Sequence, residues 1–181
     1  MVIGRRELKR RIEGWNLVEN CDYPNAVNPA SVNLRLGRSF ATMKHYNGII
    51  SLGDVIEYDH FEDRDSYIIR PGEFVLATTM EKINLPEELA AFVQGRSSIG
   101  RIALNTQNAG YIDPGFSGEI TLELKNDSPY CIKLLAGYPV AQLVVVDAFD
   151  VDEGYSGKYV GQTGATGTRM YLDDFVRVVR R

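Results

Sequence analysis

Residues 113–124 read Asp-Pro-Gly-Phe-Ser-Gly-Glu-Ile-Thr-Leu-Glu-Leu, which is a tight turn followed by one short strand. Asp-Pro-Gly is a common β-turn because proline presets φ at one central position and glycine accepts a positive φ at the next. After the turn, Ile120, Leu122 and Leu124 alternate with polar residues, which predicts a strand with one buried face. Glu123 falls on the other face, where its simplest interpretation is a solvated carboxylate.

Similar strand and turn signals recur along most of the chain. Short apolar runs alternate with turns such as Arg70-Pro71-Gly72 and Asp127-Ser128-Pro129. The first predicted strand, residues 32–36, is expected to end at Gly37. The other predicted strands are residues 67–69, 74–78, 91–94, 120–124, 132–135 and 142–146. Many short strands joined by regular turns predict a mainly β domain, either a barrel or a sandwich.

Three segments fall outside this strand pattern. Leu8, Ile12 and Trp15 recur at helical spacing, and Gly14 is expected to end that helix. A second, short helical turn is predicted at residues 86–90. The stretch 154–168 is rich in Gly and Thr and is typical of a mobile tail or of a lid.

The bulk properties indicate one globular domain over residues 1–181, with an N-terminal helix region 1–20 and a C-terminal lid or tail 154–181. The chain is 44% hydrophobic, which is enough to form a core. Its net charge of −4 argues against a broad surface for nucleic acid. No apolar run is long enough to cross a membrane, and the basic N-terminus lacks a signal-peptide core. We therefore expect a cytoplasmic protein, or one of the host cytoplasm if the source is viral.

The cysteines and histidines exclude the common metal and disulfide patterns. Cys21 and Cys131 lie far apart and belong to no spaced motif, which argues against a disulfide framework and against a cysteine zinc site. His45 and His60 are the chain's histidines. The His-x-Glu and Pro-Cys-x-x-Cys signature of zinc deaminases is absent.

Residues 95–101, Gly-Arg-Ser-Ser-Ile-Gly-Arg, have the composition of an anion-binding loop. Small residues let backbone N–H groups approach an anion, hydroxyls add donors, and guanidinium groups pair with phosphate oxygens. The alternative is a helix cap with Ser97 or Ser98 at the N-cap. The segment is not a P-loop, because the Gly-Lys-Ser/Thr ending is missing.

Two further segments are candidates for ligand contact. Tyr111, just before the Asp-Pro-Gly turn, offers an aromatic face to a sugar or a base, although an ordinary turn explains the segment equally well. The stretch 155–167 contains Lys158 and Gln162 among glycines and could fold over a ligand or remain disordered.

Taken in order, these segments resemble the dCTP deaminase family of the trimeric dUTPase superfamily. The resemblance runs from about residue 28 to about residue 175. It is carried by residues 29–37, 95–101, 109–118, 121–123, 137–143 and 157–159 with the glycines that follow. It implies a dUTPase-like distorted β-barrel, jelly-roll-like, with a short N-terminal helix and a flexible Gly-rich C-terminal lid.

The resemblance also implies roles for individual residues. Glu123 matches the catalytic glutamate, Ser97 and Arg101 the residues nearest the chemistry, and Asp113 the acid that holds the deoxyribose. The implied substrate-binding residues are Arg96, Ser98, Ile99, Gly100, Ala109, Tyr111, Thr121, Leu122, Gln142, Tyr155, Lys158 and Gln162.

The resemblance implies small-molecule partners and self-association. They are the nucleotides dCTP and dUTP, dTTP as a candidate inhibitor, and two further copies of the chain in a homotrimer with its sites between subunits. Mg²⁺ is implied through the triphosphate, with no direct protein ligand and no zinc.

The chemistry of deamination suits a carboxylate. Water adds to C4 of cytosine, the ring nitrogen is protonated and ammonia leaves. Because free water is a very weak acid at neutral pH, it must be activated. Without zinc, Glu123 is the natural candidate for the base that activates water and for the acid that later returns the proton. Ser97 could hold the water, and Arg101 could orient Glu123 or bias its charge.

The family contains more than one activity. Gly110 and Tyr111 favour the members that also cleave dUTP to dUMP and pyrophosphate. Asn33 and Asn108 stand where many members have Asp and Thr, so a preference for dCTP, dCMP or a modified cytosine stays open. The alternatives are a deaminase that releases dUTP, a plain dUTPase, and a non-catalytic nucleotide sensor.

Overall fold

The computed structural model describes residues 1–45, 48–106 and 110–173. The helices are α1 (Arg5–Trp15) and α2 (Ser97–Gly100), with a 3-10 turn at Met170–Leu172. The strands are β1 (Val18–Glu19), β2 (Val32–Met43), β3 (Tyr58–Phe61), β4 (Ser66–Ile69), β5 (Phe74–Asn84), β6 (Leu89–Gly95), β7 (Leu104–Thr106), β8 (Tyr111–Ile112), β9 (Ser117–Asn126), β10 (Ile132–Leu135) and β11 (Pro139–Asp147). The prediction of a mainly β domain is confirmed, and each predicted strand lies inside an observed one.

The main sheet curls into a half-barrel in the order β7-β9-β5-β2-β11-β6-β8, with β1 beside β5 and β3 beside β2. Strands β4 and β10 form a separate pair. The early part of β2 pairs with β11, from Val32 to Arg35, whereas its later part pairs with β5, from Leu36 to Ala41. One long strand therefore belongs to both halves of the sheet and turns the sheet over the core.

Strand β2 bends at Gly37. The prediction that the strand ends at this glycine is wrong, since β2 continues to Met43. A Cβ atom at position 37 would lie 2.4 Å from Thr78 Cγ2, so the close approach of β5 requires glycine here. The β2–β5 register shifts between Leu36 and Phe40, just after this contact.

A buried ion pair stands beside the bend. Glu81 is fully buried on β5, and its two carboxylate oxygens accept hydrogen bonds from Nε (2.7 Å) and the backbone N–H (2.8 Å) of Arg35 on β2. Burial raises the pKa of Glu81, and the contacts with Arg35 oppose that shift. The pair joins the two strands where the regular ladder is interrupted.

A second polar side chain replaces main-chain hydrogen bonds that are missing between β5 and β9. Their register shifts between Thr78 and Lys82. The buried Thr79 hydroxyl accepts the N–H of Ile120 at 3.0 Å and donates to the carbonyl of Glu81 at 2.7 Å. The irregular stretch of β5 thus keeps its polar groups paired, as buried backbone requires.

The core lies between the curled sheet and α1. Leu122 and Leu124 are buried and Glu123 is half-buried, so the predicted alternation along β9 is confirmed. Leu8 and Ile12 of α1 are also buried, but Trp15 is half-exposed and is covered by the guanidinium groups of two arginines of its own helix.

Two helix predictions need correction. Helix α1 does not end at Gly14 but continues to Trp15, and Asn16 closes it in the left-handed conformation with φ 56°. Residues 86–90 form no helix: the N–H of Leu89 bonds the carbonyl of Pro86 at 3.1 Å, and β6 begins at once. Within the described ranges, no helix is both long and apolar enough to cross a membrane.

The ion pair generates the first prediction. Arg35→Leu leaves Glu81 buried without its cation, which is expected to cost about 3–5 kcal/mol of unfolding free energy. Because the folded-state pKa of Glu81 is already raised and would rise further, stability falls as pH rises through the window above the ordinary pKa. Urea unfolding should therefore show a larger loss at about pH 8 than at about pH 5.

The control is the double variant Arg35→Leu with Glu81→Leu. Because it buries no unpaired charge, it should be more stable than Arg35→Leu alone. A double variant that loses the sum of the two single losses would contradict this account of the bend.

Candidate active site

A cavity of about 750 Å³ opens beside β9 and gathers much of the predicted site. Predicted site residues that line it are Tyr111, Asp113, Thr121, Leu122, Glu123, Tyr155 and Gln162. An apolar wall stands beside them, formed by Met43, Ile50, Leu52, Ile56, Phe74 and Leu76. The pocket thus combines a large apolar surface with a few polar groups, which is typical of small-molecule sites.

Glu123 provides the carboxylate of this pocket. It pairs across the sheet with Leu76 of β5, which is buried. Among residues 1–45, 48–106 and 110–173 the carboxylate has no hydrogen-bond or salt-bridge partner. Burial therefore raises the pKa of Glu123 with nothing to oppose it. A carboxyl group with a raised pKa can take and return a proton nearer to neutral pH.

The floor of the pocket is an edge of β9 that has no strand partner among the residues the structure describes. The N–H of Glu119 bonds the carbonyl of Gln162 at 3.0 Å, so the main chain of Glu119 faces away from β5. By strand alternation, the N–H and C=O groups of Thr121 and Glu123 face the same way. Strand β7 reaches β9 only as far as Leu124, so in the described part of the chain these groups have no strand partner. The edge can read a planar ligand by its hydrogen-bonding pattern.

The turn at residues 113–116 forms one side of the pocket. Phe116 N–H bonds the carbonyl of Asp113 at 3.2 Å, and Gly115 has φ +80°, as a type II turn requires. The Asp113 side chain is exposed at the pocket edge. Tyr155 N–H bonds Pro114 at 2.7 Å, which fixes the start of the C-terminal tail on this turn.

The C-terminal tail, residues 154–173 of the described chain, covers the pocket. Gln162 bonds the carbonyl of Glu119 through Nε2 at 2.8 Å, and the hydroxyl of Thr121 accepts the N–H of Thr166 at 3.2 Å. Lys158 does not line the cavity, and its ammonium is paired to Asp173 and lies over the ring of Tyr159. The predicted mobile tail is therefore packed on the sheet in this structure.

The loop at 95–101 stands apart from the cavity. Arg96, not Ser97 or Ser98, occupies the N-cap position of α2, and no side chain makes a cap hydrogen bond, so the cap hypothesis is wrong. Ser97, Ser98 and Arg101 are exposed, and none of them lines the cavity. Of the other predicted loop residues, Gly100 is exposed and Ile99 is buried.

Gln142 lies near this loop and not in the cavity. It pairs across the sheet with Asn33 on β2 and with Gln94 on β6, which makes a polar row over three strands. Its neighbour Ala141 pairs with Gly95, where the loop begins. Ala109 falls outside the described residues, as does Asn108.

The prediction of the site missed several pocket residues. Tyr159 lines the cavity, and its hydroxyl accepts the N–H of Arg169 at 3.0 Å. Gly110 lies so close to β6 that a Cβ would be 2.4 Å from the carbonyl oxygen of Val93. Tyr159 lies next to Lys158 in the segment 155–167, which the sequence already indicated as a candidate for ligand contact. Nothing in the sequence marks it as a pocket residue, and only the structure shows its ring in the cavity.

A curled half-barrel sheet with a half-buried carboxylate on β9 beside a cavity places the chain among the mainly β proteins with a small-molecule pocket. The family model described as dCTP deaminase-like matches residues 2–148. The chain belongs to this dCTP deaminase-like family.

Curated relatives extend the match over nearly the whole chain. A protein of Sulfurihydrogenibium sp. (strain YO3AOP1), named "dCTP deaminase, dUMP-forming", is 44% identical over 96% of this chain and 99% of its own length. A protein of the same name from Hydrogenobaculum sp. (strain Y04AAS1) is 44% identical over 96% of this chain and 98% of its own.

A solved structure shows the same fold. The 2′-deoxycytidine 5′-triphosphate deaminase of Agrobacterium tumefaciens superposes with a TM-score of 0.63 at 20% identity. The match covers 80% of this chain and 47% of that one, so this chain spans about half the length of that structure.

The environment of Glu123 generates a prediction about stability. Because its folded-state pKa is raised, ionised Glu123 opposes folding above the ordinary pKa of a glutamate. Glu123→Gln removes that charge, so the melting temperature should not fall and should exceed that of the wild type as pH rises. Melting curves between about pH 4 and about pH 8 test this.

The control for that experiment is Glu57→Gln. Glu57 is exposed and pairs with Lys44 at the surface, so its loss should change the melting temperature little at any pH. A Glu123→Gln protein that melts well below the wild type at neutral pH would show that the carboxylate stabilises the fold.

Proposed function

We propose that this chain deaminates dCTP and then hydrolyses the resulting dUTP to dUMP and pyrophosphate in the same site. The observation that carries the proposal is Glu123, half-buried and without a partner in the described chain, on the open edge of β9. The names of the two 44% identical relatives, both dUMP-forming dCTP deaminases, support it.

The open edge of β9 suits a pyrimidine. The main-chain groups of Thr121 and Glu123 offer donors and acceptors in one plane, as the edge of a base requires. Glu123 then lies beside the amino-bearing carbon. It takes a proton from water as the water oxygen bonds to C4, and it delivers that proton to N3. Glu123 then takes the proton of the new C4 hydroxyl and passes it to the amino nitrogen. The bond from C4 to that nitrogen breaks, ammonia leaves, and the hydroxyl oxygen becomes the C4 carbonyl.

Asp113 and Tyr111 suit the sugar. Asp113 is exposed on its turn at the pocket edge, and Tyr111 is an exposed ring on the neighbouring strand. For the second reaction, Asp113 would orient a water toward the α-phosphorus. Attack by that water breaks the bond to the bridging oxygen and releases pyrophosphate. Gly110 lets the chain approach β6 closely, since a Cβ there would lie 2.4 Å from the carbonyl oxygen of Val93, and this contact sets the position of the neighbouring Tyr111.

The triphosphate needs cations, and the exposed loop offers them. Arg101 is exposed, whereas Arg96 is half-buried and donates from Nη1 to the carbonyl of Pro139 at 2.9 Å, so its other guanidinium N–H groups would serve the phosphate. In the described residues, no cluster of three or more His, Cys, Asp or Glu side chains stands ready as a metal cage. The available donors fit a Mg²⁺ ion held chiefly by the phosphates and water, which would neutralise charge on the leaving pyrophosphate.

The loop and the pocket belong to one site only if copies of the chain associate. Ser97, Arg101 and Gln142 do not line the cavity of their own chain. A cyclic homotrimer in which the loop of one subunit faces the pocket of the next completes the site. The same pocket admits dTTP as a competing pyrimidine nucleotide, and the reaction belongs to the cytoplasm.

The first test of this function is a product assay with dCTP and Mg²⁺. The wild type should release ammonia, dUMP and pyrophosphate. Glu123→Gln should bind dCTP within about threefold of the wild type, while deamination falls by about 10²–10⁴-fold because the general base is gone. Ion-exchange chromatography with a parallel ammonia assay measures both.

Other outcomes of the product assay identify the alternatives. Accumulation of dUTP means a deaminase without the second step. Conversion of dUTP to dUMP without ammonia from dCTP means a plain dUTPase. Tight binding without turnover of either nucleotide means a sensor, and full activity of Glu123→Gln rejects the assignment of the base.

A mixed-subunit experiment tests the shared site. Glu123→Gln and Arg101→Ala subunits, each inactive alone, should regain activity when co-assembled. With equal amounts, about a quarter of the sites combine an intact Glu123 with an intact Arg101 from the neighbour. The recovered rate should approach that fraction of the wild-type rate.

The matched control replaces Arg101→Ala with subunits that carry both substitutions. Mixed with Glu123→Gln subunits, they form no intact site and should recover nothing. Absence of recovery in the main mixture, with trimers present by light scattering, would place both residues in a site within one chain.

A further inference from the structure

The C-terminal tail is held on the sheet by both main-chain and side-chain hydrogen bonds, among them the bond from the N–H of Gly161 to the carbonyl of Ser117 at 2.7 Å. Glu119 at the start of β9 makes the largest share of these contacts. Its main chain bonds Gln162 twice, from N–H to the carbonyl at 3.0 Å and from the carbonyl to Nε2 at 2.8 Å. Its carboxylate accepts the N–H of Gly164 at 2.7 Å and the hydroxyl of Thr78 at 3.2 Å.

Ser39 on β2 continues the same attachment. Its hydroxyl accepts the N–H of Ala165 at 2.8 Å and donates to Glu62 at 2.9 Å. Ala165 is buried against Leu76, the residue that stands across the sheet from Glu123. The tail therefore packs against the cluster that contains the cross-strand neighbour of Glu123.

The turn in the tail is shaped to fit these two side chains. Gly164 has φ +66°, and a Cβ there would lie 3.1 Å from Ser39 Oγ. A side chain at this position would strain the backbone and crowd the hydroxyl that holds Ala165. Two residues after Gly164, Thr166 donates its N–H to the hydroxyl of Thr121 on β9.

We propose that Glu119 and Ser39 form a clamp that positions the tail for the reaction, with Glu119 as the main positioning residue. The clamp fixes residues 162–166, and through them Gln162 and the Thr121 hydroxyl at the pocket. The inference rests on the proposed function for its kinetic consequence, but not for the attachment itself. Neither clamp residue lines the cavity, so both act through the tail.

The clamp predicts a specific kinetic pattern. If the tail is already in place in the free protein, the nucleotide does not have to order it on binding. Without the clamp, binding must supply that ordering, so KM rises while kcat at saturation changes less. A merely structural role would instead lower the active fraction, which reduces kcat and leaves KM unchanged.

The experiment uses full-length protein with Glu119→Ala and Glu119→Gln. Hydrogen exchange of the peptide that covers residues 160–168 is measured without nucleotide. Loss of a charge-assisted bond should speed exchange by about tenfold or more in Glu119→Ala, with Glu119→Gln intermediate because the amide still accepts a hydrogen bond. The charge-matched control is Glu13→Gln on α1, where exchange in the tail should not change.

Kinetics on the same proteins complete the test. KM for dCTP should rise by about tenfold in Glu119→Ala with kcat within about threefold, and Glu119→Gln should fall between this variant and the wild type. Gly164→Ala should produce a similar change, and the double variant should be no worse than either alone, because both release the same segment of the tail from the clamp.

The outcomes separate the clamp from the function. Unchanged exchange in Glu119→Ala overturns the clamp, whatever the activity. Faster exchange with a lowered kcat and unchanged KM, or strictly additive effects with Gly164→Ala, overturns positioning through the tail. If the wild type turns over neither dCTP nor dUTP, the proposed function fails, and the exchange result still decides whether Glu119 holds the tail.

Discussion

The ion pair between Arg35 and Glu81 is the constraint on which the shape of the sheet depends. A long strand can leave one sheet and enter another only if the ladder is broken, and each broken position exposes backbone groups that need new partners. Here the Glu81 carboxylate takes the N–H of Arg35, and the Thr79 hydroxyl takes the N–H of Ile120. Side chains thus replace the missing ladder bonds, and the bend becomes a fixed feature of the fold.

The same bend sets up the pocket. Strand β9 follows β5 through its irregular stretch, so the main-chain direction of Thr121 and Glu123 depends on how β5 is held. In the described part of the chain this edge of β9 has no strand partner, and both an unpaired edge and a half-buried carboxylate oppose stability. Those two features are also the ones that a base-reading site with a titratable carboxylate needs.

The sequence predicted what is local and periodic. The alternation around Leu122, the Asp-Pro-Gly turn and the positions of the strands follow from period-two patterns and turn chemistry, and the structure agrees. The failures are tertiary. Gly37 resembles a terminator in the sequence, but the packing of β5 is what forbids a side chain there. Trp15 has the helical spacing of a core residue, yet the guanidinium groups of Arg10 and Arg11 on its own helix cover its ring.

The site shows the same division between local and distant information. Glu123 and Asp113 were recognised because each stands in a distinctive local segment that resembles a known family. The hydrogen bonds from Glu119 and Ser39 to the tail could not be predicted from the sequence, because they join β9 and β2 to residues far along the chain. Bonds from a backbone N–H to a side chain are worth about 1 kcal/mol each, and more when the acceptor is charged. The described part of the tail is held by a few such bonds and not by a full strand ladder.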